Sequence, residues 1–250
     1  MSWFTGRSVI VTGAGSGIGR AAAVRLAGFG AHVALSDIKG AEATLALIEA
    51  AGGTAFVQPT DVRRPSDIGL LVAETVKRFG RLDLAFNNAG IAQTKRGPLP
   101  SLEEADWQDI MDTNLRSVFL CMKHQIPEML RGGGGAIVNT SSGVVPHGYR
   151  NISIYVASKA GVDALTRVAA MEFADRNIRV NSVNPGFTAT PMLDAVMPPQ
   201  QQGPLVEMTP LKKMTTPADV ANMAVFLLSP EAGHVTGQSI FVDGGLNVSF

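Results

Sequence analysis

The stretch Val9-Ile10-Val11-Thr12-Gly13-Ala14-Gly15-Ser16-Gly17-Ile18-Gly19-Arg20 runs from a β-branched apolar segment through closely spaced glycines into the helix-forming residues 21–27. A strand that turns through glycine into a helix gathers unpaired backbone N–H groups and the positive end of a helix dipole at one point, and glycine lets a phosphate approach that backbone closely. Glycine turns between strand and helix also arise for steric reasons alone, so the context decides. The next apolar run, 32–36, leads to Asp37, 18 residues beyond Gly19, near the offset of about 20 at which an acid meets the adenosine ribose of a dinucleotide. Gly13, Gly15, Ser16, Gly17, Ile18 and Gly19 are therefore candidate pyrophosphate contacts, and Asp37 is a candidate ribose acceptor. A carboxylate there accepts ribose hydroxyls and repels a 2′-phosphate, so NAD is expected over NADP. No Arg stands at position 16 or 38 to neutralise such a phosphate, although Lys39 is close in sequence.

Outward from this unit, short apolar runs recur at 8–12, 32–36, 54–58, 82–87, 136–141, 178–183 and 238–242, with helix-period stretches between them. This alternation predicts an α/β, doubly wound fold with helices on both faces of a parallel sheet. The expected order of its seven strands is 3-2-1-4-5-6-7, with residues 1–250 forming one domain. Ser101 with Glu104 reads as a capping box, and Thr216-Pro217 with Asp219 as a cap, an N1 proline and a first-turn acid. Gly132 to Gly135 is not followed by Lys-Ser/Thr and reads as a helix-to-strand turn. The stretch 185–210 is rich in Pro, Met and Gln with weak periodicity, and a mobile substrate loop is expected at about 186–212.

Lys and Arg number 21 against 21 Asp and Glu, for zero formal net charge, so the basic excess expected of a nucleic-acid partner is missing. No apolar run approaches the 18 or so residues that span a bilayer, and no membrane association is expected. One cysteine, Cys121, excludes an intrachain disulfide; residues 1–7 lack the apolar core of a secretory signal, and a cytoplasmic location is expected. His32, His124, His147 and His234 show no pairing at ligand spacing, so no metal is expected. His147 reads as a surface-loop residue or, lying between Ser142 and Tyr155, as a substrate contact. Cys121 sits in an apolar stretch and reads as a small buried hydrophobe. Glu103 and Glu104 are explained by the cap better than by hydrolytic chemistry. Met192, Met197, Met208 and Met214 fit either a core or an adaptable apolar lid.

Tyr155 and Lys159 stand four apart in an apparent helix and share a face. An ammonium about 4 Å from a phenolate, at an effective dielectric near 20, is worth roughly 4 kcal/mol, or about three pKa units. That would bring a phenol of pKa near 10 toward neutrality, where general acid–base transfer works. Tyr-x-x-x-Lys alone is frequent on helix surfaces, so further groups must converge. The strand ends at Ser141-Ser142, Asn87-Asn88-Ala89-Gly90, the glycine loop and Asn184-Pro185-Gly186 are all expected at the same edge of the sheet, where open parallel sheets bind ligands.

Together with Asp61-Val62, Asn114 and the closing Val242-Asp243-Gly244-Gly245, these motifs make the chain resemble the short-chain dehydrogenase/reductase family, in its NAD(P)-dependent branch of about this length. The resemblance runs nearly end to end. It implies a Rossmann fold and a catalytic set of Ser142, Tyr155, Lys159 and Asn114, with Ser142 chosen over a structural Ser141 because it stands thirteen residues before Tyr155. It further implies that Asp61 and Val62 hold the adenine, and that Asn88, Ala89 and Gly90 line the cofactor. Pro185 and Gly186 flank it, Thr188 and Thr190 meet the nicotinamide amide, and Lys159 binds its ribose. The implied activity is NAD-dependent interconversion of a secondary alcohol and a ketone, Tyr155 taking the hydroxyl proton, Ser142 bonding the same oxygen and Asn114 completing a water relay. A small-molecule substrate and a homotetramer, or a homodimer, are implied as partners, with 247–250 at a subunit contact. Two other readings stay open. One is a 3-oxoacyl-thioester reductase acting on an acyl carrier protein, with Arg131 and Arg176 as docking charges; the other is a non-enzymatic NAD-binding regulator.

Overall fold

Successive residues of a strand face opposite sides of a sheet, so a strand covered on both sides is apolar throughout. In β1 (Ser8–Thr12), Val9 and Val11 enter one apolar layer and Ile10 enters the other, all fully buried. The computed structural model describes residues 2–249. Along them follow α1 (Gly17–Gly28), β2 (His32–Asp37), α2 (Ala41–Ala50), β3 (Thr54–Pro59), α3 (Pro65–Phe79), β4 (Leu84–Asn87), α4 (Glu104–Met111), α5 (Ser117–Arg131), β5 (Gly135–Thr140) and α6 (Ser153–Phe173). The chain continues through β6 (Ile178–Pro185), α7 (Pro191–Val196), α8 (Gly203–Met208), α9 (Pro217–Leu228) and β7 (Ser239–Val242).

The strands form one seven-stranded sheet in the order β3-β2-β1-β4-β5-β6-β7, every neighbouring pair parallel. Residues of α1, α2 and α9 pack with Val33, Leu35 and Val138 on one face. Residues of α3, α5 and α6 pack with Ala34, Ile137 and Val180 on the other. The class and strand order are those expected from the sequence. Buried Asn87 joins Asn139 and Gln125 by side-chain hydrogen bonds of 2.8–3.1 Å, fixing the end of β4 between β5 and α5.

Two local expectations are corrected. Ser101 does not cap α4: it ends a 3-10 turn begun at Leu99, and its hydroxyl donates to the Pro98 carbonyl at 2.8 Å. The capping box is formed instead by Glu103 and Asp106, whose carboxylate accepts the Glu103 N–H at 3.2 Å. The stretch after β6, expected as a loop, holds α7, a 3-10 turn (Pro199–Gln201) and α8; Pro191 at the start of α7, with Thr190 as its cap, explains why helix forms where periodicity is weak. Thr216 and Asp219 cap α9 as expected. Gly133 and Gly134, at φ 86° and 128°, make the turn from α5 to β5. The C-terminal contact expected for 247–250 falls partly on Phe250, which lies outside the described residues; Val248 is exposed. No helix among the described residues is long and apolar enough to cross a membrane.

Candidate active site

Strand order turns back between β1 and β4, and at such a switch point the loops leaving the strands open a crevice at the carboxyl edge of the sheet. Here the crevice is a cavity of about 770 Å³. At one end it is lined by Gly13, Ser16, Gly17, Ile18, Asp37, Asp61 and Val62, and in the middle by Asn88, Ala89 and Gly90. Ser142, Tyr155, Lys159, Pro185, Gly186, Thr188 and Thr190 close the other end. Gly15, Gly19 and Asn114 do not line it; each holds the wall from behind.

The cradle at the α1 end fits a dinucleotide phosphate. Ser16, at the N-cap position, makes no side-chain cap and the first turn of α1 carries no acid, which leaves backbone donors available to an anion. Gly13 has φ 67°, and a Cβ there would lie 2.9 Å from the Asn88 side-chain nitrogen. A Cβ at Gly19 would overlap the Gly13 carbonyl oxygen, so α1 packs against the loop only through glycine. The Gly15 N–H donates to Asp37 Oδ2 at 2.8 Å and the Ile38 N–H to Oδ1 at 2.7 Å, which orients the carboxylate beside the loop. Thr12 Oγ1 accepts the N–H groups of Asn88 and Ala89, both at 3.0 Å, and so locks the glycine loop to the end of β4. Asp61 pairs with Arg63 at 2.8 Å; the hydrogen bonds from that guanidinium hold its carboxyl below the usual carboxylate range against the opposing effect of burial.

At the other end, the chain departs from regular α-helix between α4 and α5: residues Asp112–Arg116 form a π-helical turn with Asn114 fully buried at its centre. Asn114 Oδ1 accepts the Ile91 N–H at 2.8 Å, while Nδ2 donates to the Ile91 carbonyl at 3.0 Å and to Ser158 Oγ at 3.3 Å. It thereby ties the segment after β4 to α6 beside Lys159. Thr188 Oγ1 donates to the Gly186 carbonyl at 2.9 Å, and Thr190 Oγ1 accepts the Leu193 N–H at 3.4 Å, so both threonines are fixed by the backbone that leaves β6.

Tyr155 and Lys159 share a face of α6, but the electrostatics differ from the expectation. Lys159 Nζ lies 5.9 Å from the Tyr155 ring centre and donates to the Thr140 carbonyl at 2.8 Å. Burial pushes the Tyr155 phenol up from its usual value, and a hydrogen bond with Ser142 works in the opposite direction. Burial also lowers Lys159 to about 8, opposed by the charge of Asp163. Ser141 Oγ donates to the Lys159 carbonyl at 3.0 Å, the structural part expected of it.

Sequence reasoning missed two contributors. Buried Gln93 accepts the Tyr155 N–H at 3.2 Å and donates to the Lys95 carbonyl at 2.9 Å, clamping the start of α6; it lies in a segment without periodicity. Asp163 is buried behind Lys159, one helical turn on, a spacing that could have flagged it. The apolar wall of Val144, Ile152, Phe187, Met197, Leu205 and Leu246 is gathered from the three segments that follow β5, β6 and β7. Of the methionines, Met192 and Met197 line the cavity, whereas Met208 and Met214 do not. His147 is exposed, with Nε2 2.8 Å from the Asn247 carbonyl, and does not line the cavity. Cys121 is buried, and desolvation raises its thiol to about 12. Arg131 and Arg176 lie near the opposite edge of the sheet, paired with Glu128 and Asp175. No cluster among the described residues could hold a metal.

A glycine loop at the start of α1 shares one cavity with Ser142, Tyr155 and Lys159 on a doubly wound sheet, an arrangement that fits an oxidoreductase, and a family model described as enoyl-(acyl carrier protein) reductase matches residues 13–247. The chain belongs to the short-chain dehydrogenase/reductase family. It is 42% identical over 246 residues to cyclohexanol dehydrogenase of Acinetobacter sp. strain SE19, covering 96% of this chain and 95% of that protein. A 3-oxoacyl-acyl-carrier-protein reductase of Staphylococcus aureus strain Mu50 is 41% identical over 243 residues, covering 96% and 98%. Among solved structures, levodione reductase superimposes with a TM-score of 0.94 at 35% identity, covering 99% and 100% of the two chains. A 7α-hydroxysteroid dehydrogenase complexed with NADH and 7-oxo glycochenodeoxycholic acid gives 0.92 at 34%, covering 97% and 94%.

Proposed function

We propose that this protein is an NAD-dependent dehydrogenase of cyclic or otherwise bulky secondary alcohols, acting in reverse as a ketone reductase. The observation that carries the reading is that Ser142, Tyr155 and Lys159 line the same cavity as the glycine cradle and Asp37. When bound, NAD supplies the hydride acceptor. Gly13, Ser16, Gly17 and Ile18 would hold its phosphates, and Asp37 its ribose hydroxyls. Asp61 and Val62 would flank the adenine, with Asn88, Ala89 and Gly90 along the middle, and Pro185, Gly186, Thr188 and Thr190 beside the nicotinamide. Ser142 donates a hydrogen bond to the substrate oxygen and Tyr155 Oη takes its proton. Lys159, whose ammonium is held at the cavity wall by the Thr140 carbonyl, would bind a ribose and favour the phenolate; this contribution must outweigh the burial that raises the phenol in the free protein. The π-turn at Asn114 shifts local carbonyls out of helical register, which supports the relay role of that residue.

The apolar wall around the substrate end supports an uncharged ring as substrate, and so do the printed activities of the cyclohexanol and levodione relatives. Reduction of a 3-oxoacyl thioester is the second reading, favoured by the carrier-protein reductases at similar identity. Initial rates with cyclohexanol, cyclohexanone and a 3-oxoacyl thioester, each with both nicotinamide cofactors, separate the readings. Turnover of the cyclic pair with NAD(H) supports the proposal; faster thioester reduction with NADPH overturns it, and no turnover of any substrate favours a binding protein. A cytoplasmic homotetramer, or homodimer, belongs to the same reading. The exposed Trp107, Phe119 and Met171 of α4, α5 and α6 support association, and light scattering tests it.

A further inference from the structure

Behind Lys159, away from the cavity, α6 meets β6 through side chains that the proton-transfer chemistry does not use. Asp163 is 5% exposed, and Ser182 and Asn184 are fully buried. Ser182 Oγ donates to Asp163 Oδ1 at 2.7 Å, and Asn184 Nδ2 donates to Asp163 Oδ2 at 3.0 Å. The same Asn184 amide reaches the Ser142 carbonyl at 3.3 Å. Ser239 Oγ, 3.0 Å from Ser182 Oγ, closes the network against β7. No Lys, Arg or His makes an ion pair with Asp163 among the described residues, although a carboxylate taken out of water ordinarily demands a cation.

We propose that Asp163 is a positioning residue of the active site, its buried carboxylate acting on Lys159 through charge and on Ser142 through the amide of Asn184. The proposal rests on the dehydrogenase reading above. One carboxylate thereby bears on both halves of the site, on Lys159 through its charge and on Ser142 through one intervening amide. Asp163 stands four residues after Lys159 on the same helix face, and its hydrogen bond aims the Asn184 amide at the peptide that carries the Ser142 side chain. The electrostatics agree, since the Asp163 charge opposes the burial that would otherwise neutralise Lys159. The other groups facing Lys159 are uncharged or weakly acidic. They are the Thr140 carbonyl from β5, the Asn114 amide and Gly90 from the segments beyond β4, and the Tyr155 phenol on α6 itself.

The test is the pH profile of kcat/KM for alcohol oxidation in Asp163→Asn, and in a double variant with Asn184→Asp that moves the charge across the same hydrogen bond. In Asp163→Asn the ammonium is lost at lower pH, so the alkaline limb moves down by about one unit, and the double variant restores it. An unmoved limb, a uniform loss of kcat/KM with no change of profile, or a double variant that fails to restore the limb overturns the proposal. Failure of both variants to fold assigns the network to stability and overturns it as well. Tyr155→Phe is run alongside: wild-type turnover in that variant brings down the dehydrogenase reading itself, a result distinguishable from unchanged Asp163 profiles.

Discussion

Replacing Thr12 by Val keeps a β-branched side chain of the same shape in β1 and removes one oxygen. That oxygen is the acceptor for two backbone donors, the N–H groups of Asn88 and Ala89, at 3.0 Å each. A buried donor left without an acceptor costs about 1–3 kcal/mol, so two give about 2–6 kcal/mol. Asn88 and Ala89 are half-buried, and water reaches part of what is lost, which places the expected cost near the low end, about 2–3 kcal/mol. For a chain of this size each kcal/mol moves Tm by about 2–4 °C, so a drop of about 4–12 °C is expected. Because the same link holds the glycine loop against β4, NADH affinity falls in parallel. The assay is thermal unfolding with and without NADH, with Thr12→Ser as the control that retains the hydroxyl. A Tm within about 2 °C of wild type in Thr12→Val, or an equal loss in Thr12→Ser, would refute the reasoning.

Three other outcomes are expected. Asp37→Ser removes the charge that repels a 2′-phosphate and lowers the NAD over NADP preference in kcat/KM by roughly tenfold or more; an unchanged ratio removes Asp37 from cofactor choice. Lys159 has its folded pKa depressed from 10.5 to about 8, so the unfolded chain binds more protons between those values. Stability contributed by this group therefore rises with pH across that window, by on the order of 3 kcal/mol. The difference in unfolding free energy between wild type and Lys159→Met, measured without nucleotide at pH 7.5 and at about pH 10, should grow in wild type's favour. The buried Cys121 thiol stays unreactive toward a disulfide reagent at pH 8 in the folded protein and reacts once in denaturant; rapid modification of native protein contradicts its burial.

Much of the fold was legible because its signals are local and repeated. The apolar triplet Val9-Ile10-Val11 could be covered on both faces only in a parallel sheet, and the alternation of strand and helix fixed the order of neighbours. The glycine loop was legible for the same reason, since Gly19 packs on the Gly13 carbonyl and Asp37 accepts the Gly15 N–H within one βαβ unit, whereas the close approach of Asn88 to Gly13 comes from the distant end of β4. Where two local signals competed, reading failed. Ser101 offered a cap three residues before Glu104, but Pro98 and Pro100 favour a 3-10 turn that consumes its hydroxyl, and the helix takes Glu103 as its start. The π-turn at Asn114 was not read because hydrophobic periodicity locates a helix without reporting a one-turn change of its hydrogen-bond register. The direction expected for the Tyr155 phenol was reversed because helix spacing reports proximity and not burial, and here desolvation outweighs the hydrogen bond with Ser142. Gln93 and the Asp163–Asn184 contact are long-range pairings that no spacing encodes.

The most direct test of the account is the comparison of wild type with Tyr155→Phe in NAD reduction by cyclohexanol, with NADH affinity measured on the same preparations. The predicted result is equal NADH binding and turnover lowered by at least about a hundredfold in the variant, the scale of lost general acid–base catalysis. Undiminished turnover in a variant that binds NADH normally would contradict the claim that this phenol moves the proton.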